Sequence, residues 1–510
     1  MVTSWTRRNL FPCPILSLIT VSLVLTLGCD GLTVIGVTPG NAANIADARA
    51  VIEAGGVPNP RAITVEGFVA DHDLTAPTPS GANTLFTTAS LGWNQDFDEL
   101  TPLITIQLGL GTTFTQQTFH RRALNVGLVI DATASMNQAL DARTGTSRLE
   151  AVLIAVDRVL AQLDSPDLVS LIVFTSRSAT LVEGVPGDEA LTVKEALDGL
   201  FAGGSSPLTD AMQDAYETVR QFRSAARMDR LLVFTDAQLS AGSGPANDLI
   251  SLMETYAADD IGATIFAVGT DFGEGLGDQI SQVRGGNLVY LNDYAGIVEA
   301  FDAQFDSLVT PVATDVIIST SIPFTLDMVD AFGVPQNDGG LTHTIELNLP
   351  TLFLNTVKSL GAMFIRVRPG ALVDLAKTTD VGTVSLAYKD DAGQPVSATA
   401  HLSLPAGMKR NASPPFFEND LVHRGILLVN TALALKHACE DAYGLPLTAN
   451  PTFVGALNSQ GVAQATQRLQ DFLPYFDQLA AGLADGGSDT SRGLSDERAL
   501  TAKLLTNLGP

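Results

Sequence analysis

Residues 124–130, LNVGLVI, constrain this chain more than any other stretch, because the run is apolar almost throughout and gives way at once to Asp131, Thr133 and Ser135. A continuous apolar run suits a strand covered on both faces, as in a parallel sheet with helices on either side. In such sheets ligands bind outside the carboxyl ends of the strands, which is where these three oxygen side chains fall. Alternate residues of a tight loop converge on one point. A carboxylate with two hydroxyls offers hard oxygen donors, a set suited to Mg²⁺, Mn²⁺ or Ca²⁺ rather than to zinc. The same triplet also reads as caps of the following turn, so the rest of the chain has to decide.

Downstream, strand and helix alternate. A capping box, Ser147 with Glu150, opens a helix over 149–163. A strand over 168–175 and a helix over 193–200 follow. Gly203, Gly204, Ser205 and Ser206 then lead into a helix ending at Phe222, with Pro207 suited to its first turn. A buried strand over 231–235 ends at Asp236, and elements over 247–257, 264–268, 276–283, 288–291 and 295–309 continue the alternation. The pattern predicts an α/β fold, a doubly wound and mostly parallel sheet. Asp236 follows its strand as Asp131 does, and Ser206 sits in a Gly-rich loop that opens a helix.

Together the segments DATASM, GGSSPLTDAM and LLVFTDAQ resemble the three parts of the metal-ion-dependent adhesion site, or MIDAS, of von Willebrand factor type A domains. The resemblance covers 122–310 and implies a Rossmann-like domain with a metal site. Asp131, Thr133 and Ser135 match the family's Asp-x-Ser/Thr-x-Ser, Ser206 its loop hydroxyl and Asp236 its later aspartate. In the family the hydroxyls coordinate Mg²⁺, Mn²⁺ or Ca²⁺ directly, the aspartates act directly or through water, and an acidic group of a partner protein completes the octahedron. Thr209 is a second candidate for the loop ligand, although its place in a helical first turn favours packing or capping. Ala134 and Ala237 stand where glycine is common. If either backbone needs positive φ, alanine carries strain of order 1 kcal/mol.

The flanks read differently. Arg7 and Arg8, an apolar stretch over 15–27 and Gly28-Cys29 make residues 1–29 a targeting leader, and its end resembles the lipobox of bacterial lipoproteins, which implies a lipid on Cys29. Asp30 resembles an inner-membrane retention signal. The expected location is the bacterial cell envelope, lipid-anchored on the periplasmic or outer face, or alternatively secreted. With Cys13 in the leader and Cys29 lipidated, Cys439 is left without a disulfide partner. Beyond the leader no apolar run reaches the ~18 residues of a membrane helix, so membrane contact is expected through the lipid only. A net charge of −26 argues against nucleic acid as a partner.

Residues 30–121 read as a small mixed α+β segment, with His72 in a solvated loop between Asp71 and Asp73. Residues 311–412 carry strand candidates at turn-separated intervals, as in a β-sandwich-like domain, and 413–510 return to helix. His437 and Cys439, two apart on a helix, do not face each other as metal ligands would. The whole order resembles bacterial envelope proteins of the "Ca-activated chloride channel-like" group. The resemblance implies a non-enzymatic binding module. Two alternatives stand beside it: a metal-assisted hydrolase, for which Asp210 is the nearby acidic group, and a structural envelope protein with a vestigial site. Neither a nucleophile elbow nor a Walker-type loop is apparent.

Overall fold

The computed structural model describes residues 33–34, 42–75, 78–79, 81–98, 100–114, 119–140, 145–205, 207–237, 242–269, 276–291, 294–333, 343–355, 362–444, 457–488 and 491–509. The leader, Cys29 and Ser206 lie outside them. After β1 (Thr33–Val34), two short helices, α1 (Ala42–Glu53) and α2 (Val65–Ala70), precede a hairpin of β2 (Leu85–Gln95) and β3 (Pro102–Thr112). The central unit then runs through β4 (Ala123–Asp131), α3 (Arg148–Leu160), β5 (Leu168–Phe174), β6 (Ser178–Pro186), α4 (Ala190–Leu197) and α5 (Leu208–Gln221). It continues through β7 (Arg227–Thr235), α6 (Gly244–Ala257), β8 (Gly262–Val268), α7 (Leu276–Gln282) and β9 (Gly286–Leu291).

Strands β4 to β9 form one sheet in the order β6-β5-β4-β7-β8-β9, parallel except for β6 at one edge. The doubly wound expectation is met. Alternate residues of a strand point to opposite faces, so Leu124, Val126, Leu128 and Ile130 pack among residues of α3 and α4, whereas Val129 packs among those of α5 and α6. A Cβ on Gly127 would lie 2.8 Å from Leu231 and 2.9 Å from Val219. Glycine thus lets α5 sit close against the central strand. The capping box at Ser147 and Glu150 is present. The single helix expected over 295–309 is instead α8 (Tyr294–Val298) and α9 (Phe305–Val309) with a π turn, Glu299–Ala303, between them.

The chain goes on through β10 (Pro311–Ser321), β11 (Leu326–Phe332), β12 (Thr344–Asn355), β13 (Met363–Pro369), β14 (Thr379–Lys389), β15 (Pro395–Leu404) and β16 (Phe416–Phe417). Three helices, α10 (Asp420–Tyr443), α11 (Ser459–Ala480) and α12 (Leu494–Asn507), end it. Two antiparallel sheets, β1-β12-β10-β14-β15 and β11-β13-β3-β2-β16, share a core that includes Ile104, Ile106, Val316, Ile365 and Leu386. The β-sandwich is therefore built from both sides of the central unit. The segment over 30–121 is α+β as expected but does not stand as a unit of its own: β3 pairs with β13, and α1 and α2 share a core with α10, α11 and α12. A hairpin of two strands is marginal on its own, and the later strands and α10 cover it.

His72 corrects a second expectation. It is buried, not solvated, with Nε2 3.1 Å from Glu497 and Nδ1 2.9 Å from the Arg492 carbonyl. Arg49 meets the same Glu497 carboxylate through two bonds of 2.8 and 2.9 Å and reaches Asp71 at 3.0 Å. Residues of α1, of the turn after α2 and of α12 are thus joined in one buried ion cluster. His437 and Cys439 do part company: His437 turns to Asp98 at 2.8 Å, while Cys439 is buried in α10, where burial pushes its thiol up. Among the described residues no helix is long and apolar enough to cross a membrane.

Candidate metal centre

β4 and β7 are neighbours in register, so their carboxyl ends place Asp131 and Asp236 side by side. Beyond Asp131 the chain leaves the sheet by way of Ala132, whose N–H donates to the Phe174 carbonyl at 2.9 Å, and tightens into the turn Ala134–Asn137. The Gly-rich loop locks onto this turn. Gly203 N–H donates to the Ala132 carbonyl at 2.8 Å, and Ala134 N–H to the Gly204 carbonyl at 3.1 Å. Gly204 has φ +78°, and a Cβ there would strike Ser176 at 2.2 Å. Both the left-handed backbone and the close approach require glycine.

Asp131, 2% exposed, accepts at Oδ1 from the Thr133 N–H at 2.8 Å and the Thr133 hydroxyl at 2.6 Å. The hydroxyls of Thr133 and Ser135 are 3.2 Å apart, and Ser135 donates to Asp236 Oδ1 at 2.8 Å. Four of the five expected residues are thereby brought together in one continuous run of oxygens. Ser206, the fifth, lies outside the described residues. Thr209 sits half-buried in the first turn of α5. Neither Ala134 nor Ala237 has positive φ, so alanine strains neither backbone.

Two participants escape the sequence pattern. The hydroxyl of Thr235, fully buried, donates to Asp131 Oδ2 at 2.7 Å. Arg148 donates from Nη1 to Asp236 Oδ2 at 2.8 Å in a buried ion pair. Arg148 is the first residue of α3, where the helix dipole disfavours a cation. A basic residue just behind a helix cap was the available signal. Burial pushes the Asp131 carboxyl above the usual aspartate range and nearby Asp236 adds to the push, against the hydrogen bonds from Thr133 and Thr235.

The donor set fits a hard dication. Its oxygens touch at 2.6, 3.2 and 2.8 Å, close to the ~3 Å edge of an octahedron with bonds of about 2.1 Å. Among the described residues no group of three or more His, Cys, Asp or Glu is placed to hold a metal. This site differs in kind, because hydroxyls supply half of the four oxygens. Asp210 is exposed in the first turn of α5, outside the hydrogen-bonded set.

Residues 126–238 match the family model of the von Willebrand factor type A domain, from within β4 to just past Asp236. This part of the chain is a von Willebrand factor type A domain. Similar proteins include the uncharacterized protein YfbK of Escherichia coli (strain K12), 20% identical over 195 residues, which are 38% of this chain and 33% of YfbK. The chain thus spans about a third of the length of that curated relative. A solved von Willebrand factor type A protein from Catenulispora acidiphila is 14% identical, with 82% of this chain and 96% of that chain covered and a TM-score of 0.43. The conserved hypothetical protein BatB from Bacteroides thetaiotaomicron is 18% identical, with coverages of 35% and 96% and a TM-score of 0.29. Von Willebrand factor type A domains typically mediate protein–protein interactions and often bind a divalent metal.

Proposed function

We propose that this chain is a metal-dependent protein-binding module held at the bacterial cell envelope, in which Mg²⁺ or Mn²⁺ on Asp131, Thr133, Ser135, Ser206 and Asp236 captures an acidic group of a partner protein. The observation that carries this reading is the unbroken run of close oxygens from Asp131 through Thr133 and Ser135 to Asp236. A bound hard dication supplies an open position for a carboxylate. The protein's own residues set the site. Thr235 holds one oxygen of Asp131, and Arg148 holds the outer oxygen of Asp236 and offsets its charge. With one of two carboxylates already balanced and the remaining donors neutral, a dication there keeps net positive charge toward an anionic partner. The leader and its Cys29 support lipid anchoring as the route to the envelope.

Calorimetry of Mg²⁺ and Mn²⁺ against the wild type and Asp131→Ala tests the site. Saturable binding by the wild type, lost in the variant at an unchanged circular dichroism spectrum, is the expected result. No binding by the wild type, or equal binding by both, would overturn the reading. Capture of an envelope protein on the wild type, released by EDTA and absent with Asp131→Ala, is expected of the partner step.

A further inference from the structure

A cavity of about 620 Å³ opens at the other end of the same sheet, where the amino ends of β4, β7 and β8 approach the start of β10 and the turn between β14 and β15. Five arginines line it, Arg122, Arg223, Arg227, Arg230 and Arg284, in a chain that has 29 basic residues and a net charge of −26. Four aspartates share the lining, but most are engaged. Asp229 pairs with Arg223 at 3.1 Å and Asp260 with Arg284. Asp390 turns Oδ1 to the N–H groups of Ala392 and Gln394 at 3.0 and 2.7 Å, and Asp391 meets Arg122 only through its backbone carbonyl at 3.4 Å.

Three guanidinium groups form no salt bridge among the described residues, although Arg122 acts on the Asp229 carboxylate through space. Arg122 donates to the Ala225 carbonyl at 2.9 Å, and Arg227 to the Pro166 carbonyl at 2.6 Å. Arg230 is 1% exposed. It donates to the Thr264 hydroxyl at 3.0 and 2.8 Å and lies 4.7 Å over the ring of Phe353. Burial pushes its guanidinium down to about 9, the direction expected for a cation withdrawn from water with no anion beside it. Taking such a charge out of water is costly unless a counter-charge meets it.

We propose that this cavity binds a small multivalent oxyanion of phosphate chemistry, with Arg122, Arg227 and Arg230 as its cationic partners. Guanidinium forks match the oxygens of phosphate, and several on one wall favour a multiply charged anion over a single carboxylate. A strongly acidic chain repels anions elsewhere on its surface, which makes a local arginine cluster selective by contrast. The cavity joins the α/β unit to the sandwich, a common setting for ligand pockets, and an occupant would tie the two together. None of this depends on the metal site.

The test is calorimetry and thermal unfolding of the full chain with orthophosphate, pyrophosphate and, at matched ionic strength, chloride. Vesicles of phosphatidylcholine with and without phosphatidic acid form a second arm. Saturable binding of orthophosphate or pyrophosphate with a rise in Tm, unmatched by chloride, is expected. Arg122→Gln and Arg227→Gln should each weaken it about tenfold, the scale of one hydrogen bond to a charged group, and Arg230→Met should abolish it. If Arg230→Met fails to fold by circular dichroism, the other two variants decide. The proposal is overturned if the wild type shows no saturable response to either anion, if the variants bind as the wild type does, or if binding is confined to vesicles containing phosphatidic acid.

Discussion

Asp131 is held under opposing demands. Burial and the neighbouring Asp236 raise its pKa while Thr133 and Thr235 hydrogen-bond its charged form. A carboxyl whose folded pKa is raised binds its proton more tightly in the folded chain. The resulting penalty grows as pH climbs from the unfolded value of about 3.9 through the folded pKa, and stays in full above it. In EDTA at pH 7, Asp131→Asn is therefore expected to be at least as stable as the wild type, with any lead shrinking as pH falls toward 4. Urea unfolding at both pH values measures this, and a variant less stable than the wild type at pH 7 would refute it. Asp131, Thr133, Ser135 and Asp236 were recognisable as candidates because each stands at or just past the end of an apolar strand. Thr235 was not, since a threonine at the end of a buried strand looks like any other β-branched core residue. Arg148 offered only its place behind a helix cap, and its partner lies 88 positions away.

Among the elements, long apolar patterns were read correctly, whereas β6 and β11 were missed. β6 follows no clean alternation of buried and exposed residues, and β11 is largely half-buried. Both lie at sheet edges, but so does β9, which the pattern over 288–291 does reveal, so it is the weak burial contrast between their two faces that hides them. The ion cluster that joins α1 to α12 was illegible for a different reason: Arg49 and Glu497 are 448 positions apart. Burial pushes the Glu497 carboxyl up, but His72 and Arg49 outweigh it and hold the group below the usual glutamate range. A depressed carboxyl contributes stability that is present above the unfolded value of about 4.3 and is lost as pH falls through the folded pKa. Glu497→Gln leaves Arg49 with Asp71 as its remaining carboxylate and is expected to cost about 2 kcal/mol at pH 7, with the gap closing in acid. Denaturant midpoints across that pH range check both the size and the sign, and a gap that widened in acid would contradict them.

At the scale of the molecule the chain is nested. The von Willebrand domain lies between β3 and β10 of the sandwich, and helices from both ends of the described chain share one core. Reading along the sequence divides it into consecutive pieces, because strand pairing across a long insertion leaves no local trace. Residues 122–310, with a core on each face of their own sheet, are expected to unfold cooperatively when expressed alone. Residues 311–510, deprived of β2, β3, α1 and α2, are expected to show no cooperative transition. Circular dichroism in urea distinguishes the two, and a cooperative 311–510 would show that the nesting is dispensable. The two strands that flank the insertion have a mechanical consequence. β3 is the middle strand of one sandwich sheet and β10 the middle strand of the other. A pull on a partner seated at Asp131 would divide between them, and each is hydrogen-bonded to neighbours on both sides. Neither strand can then be peeled away as an edge, so drawing either one out of its sheet breaks hydrogen bonds on both of its sides.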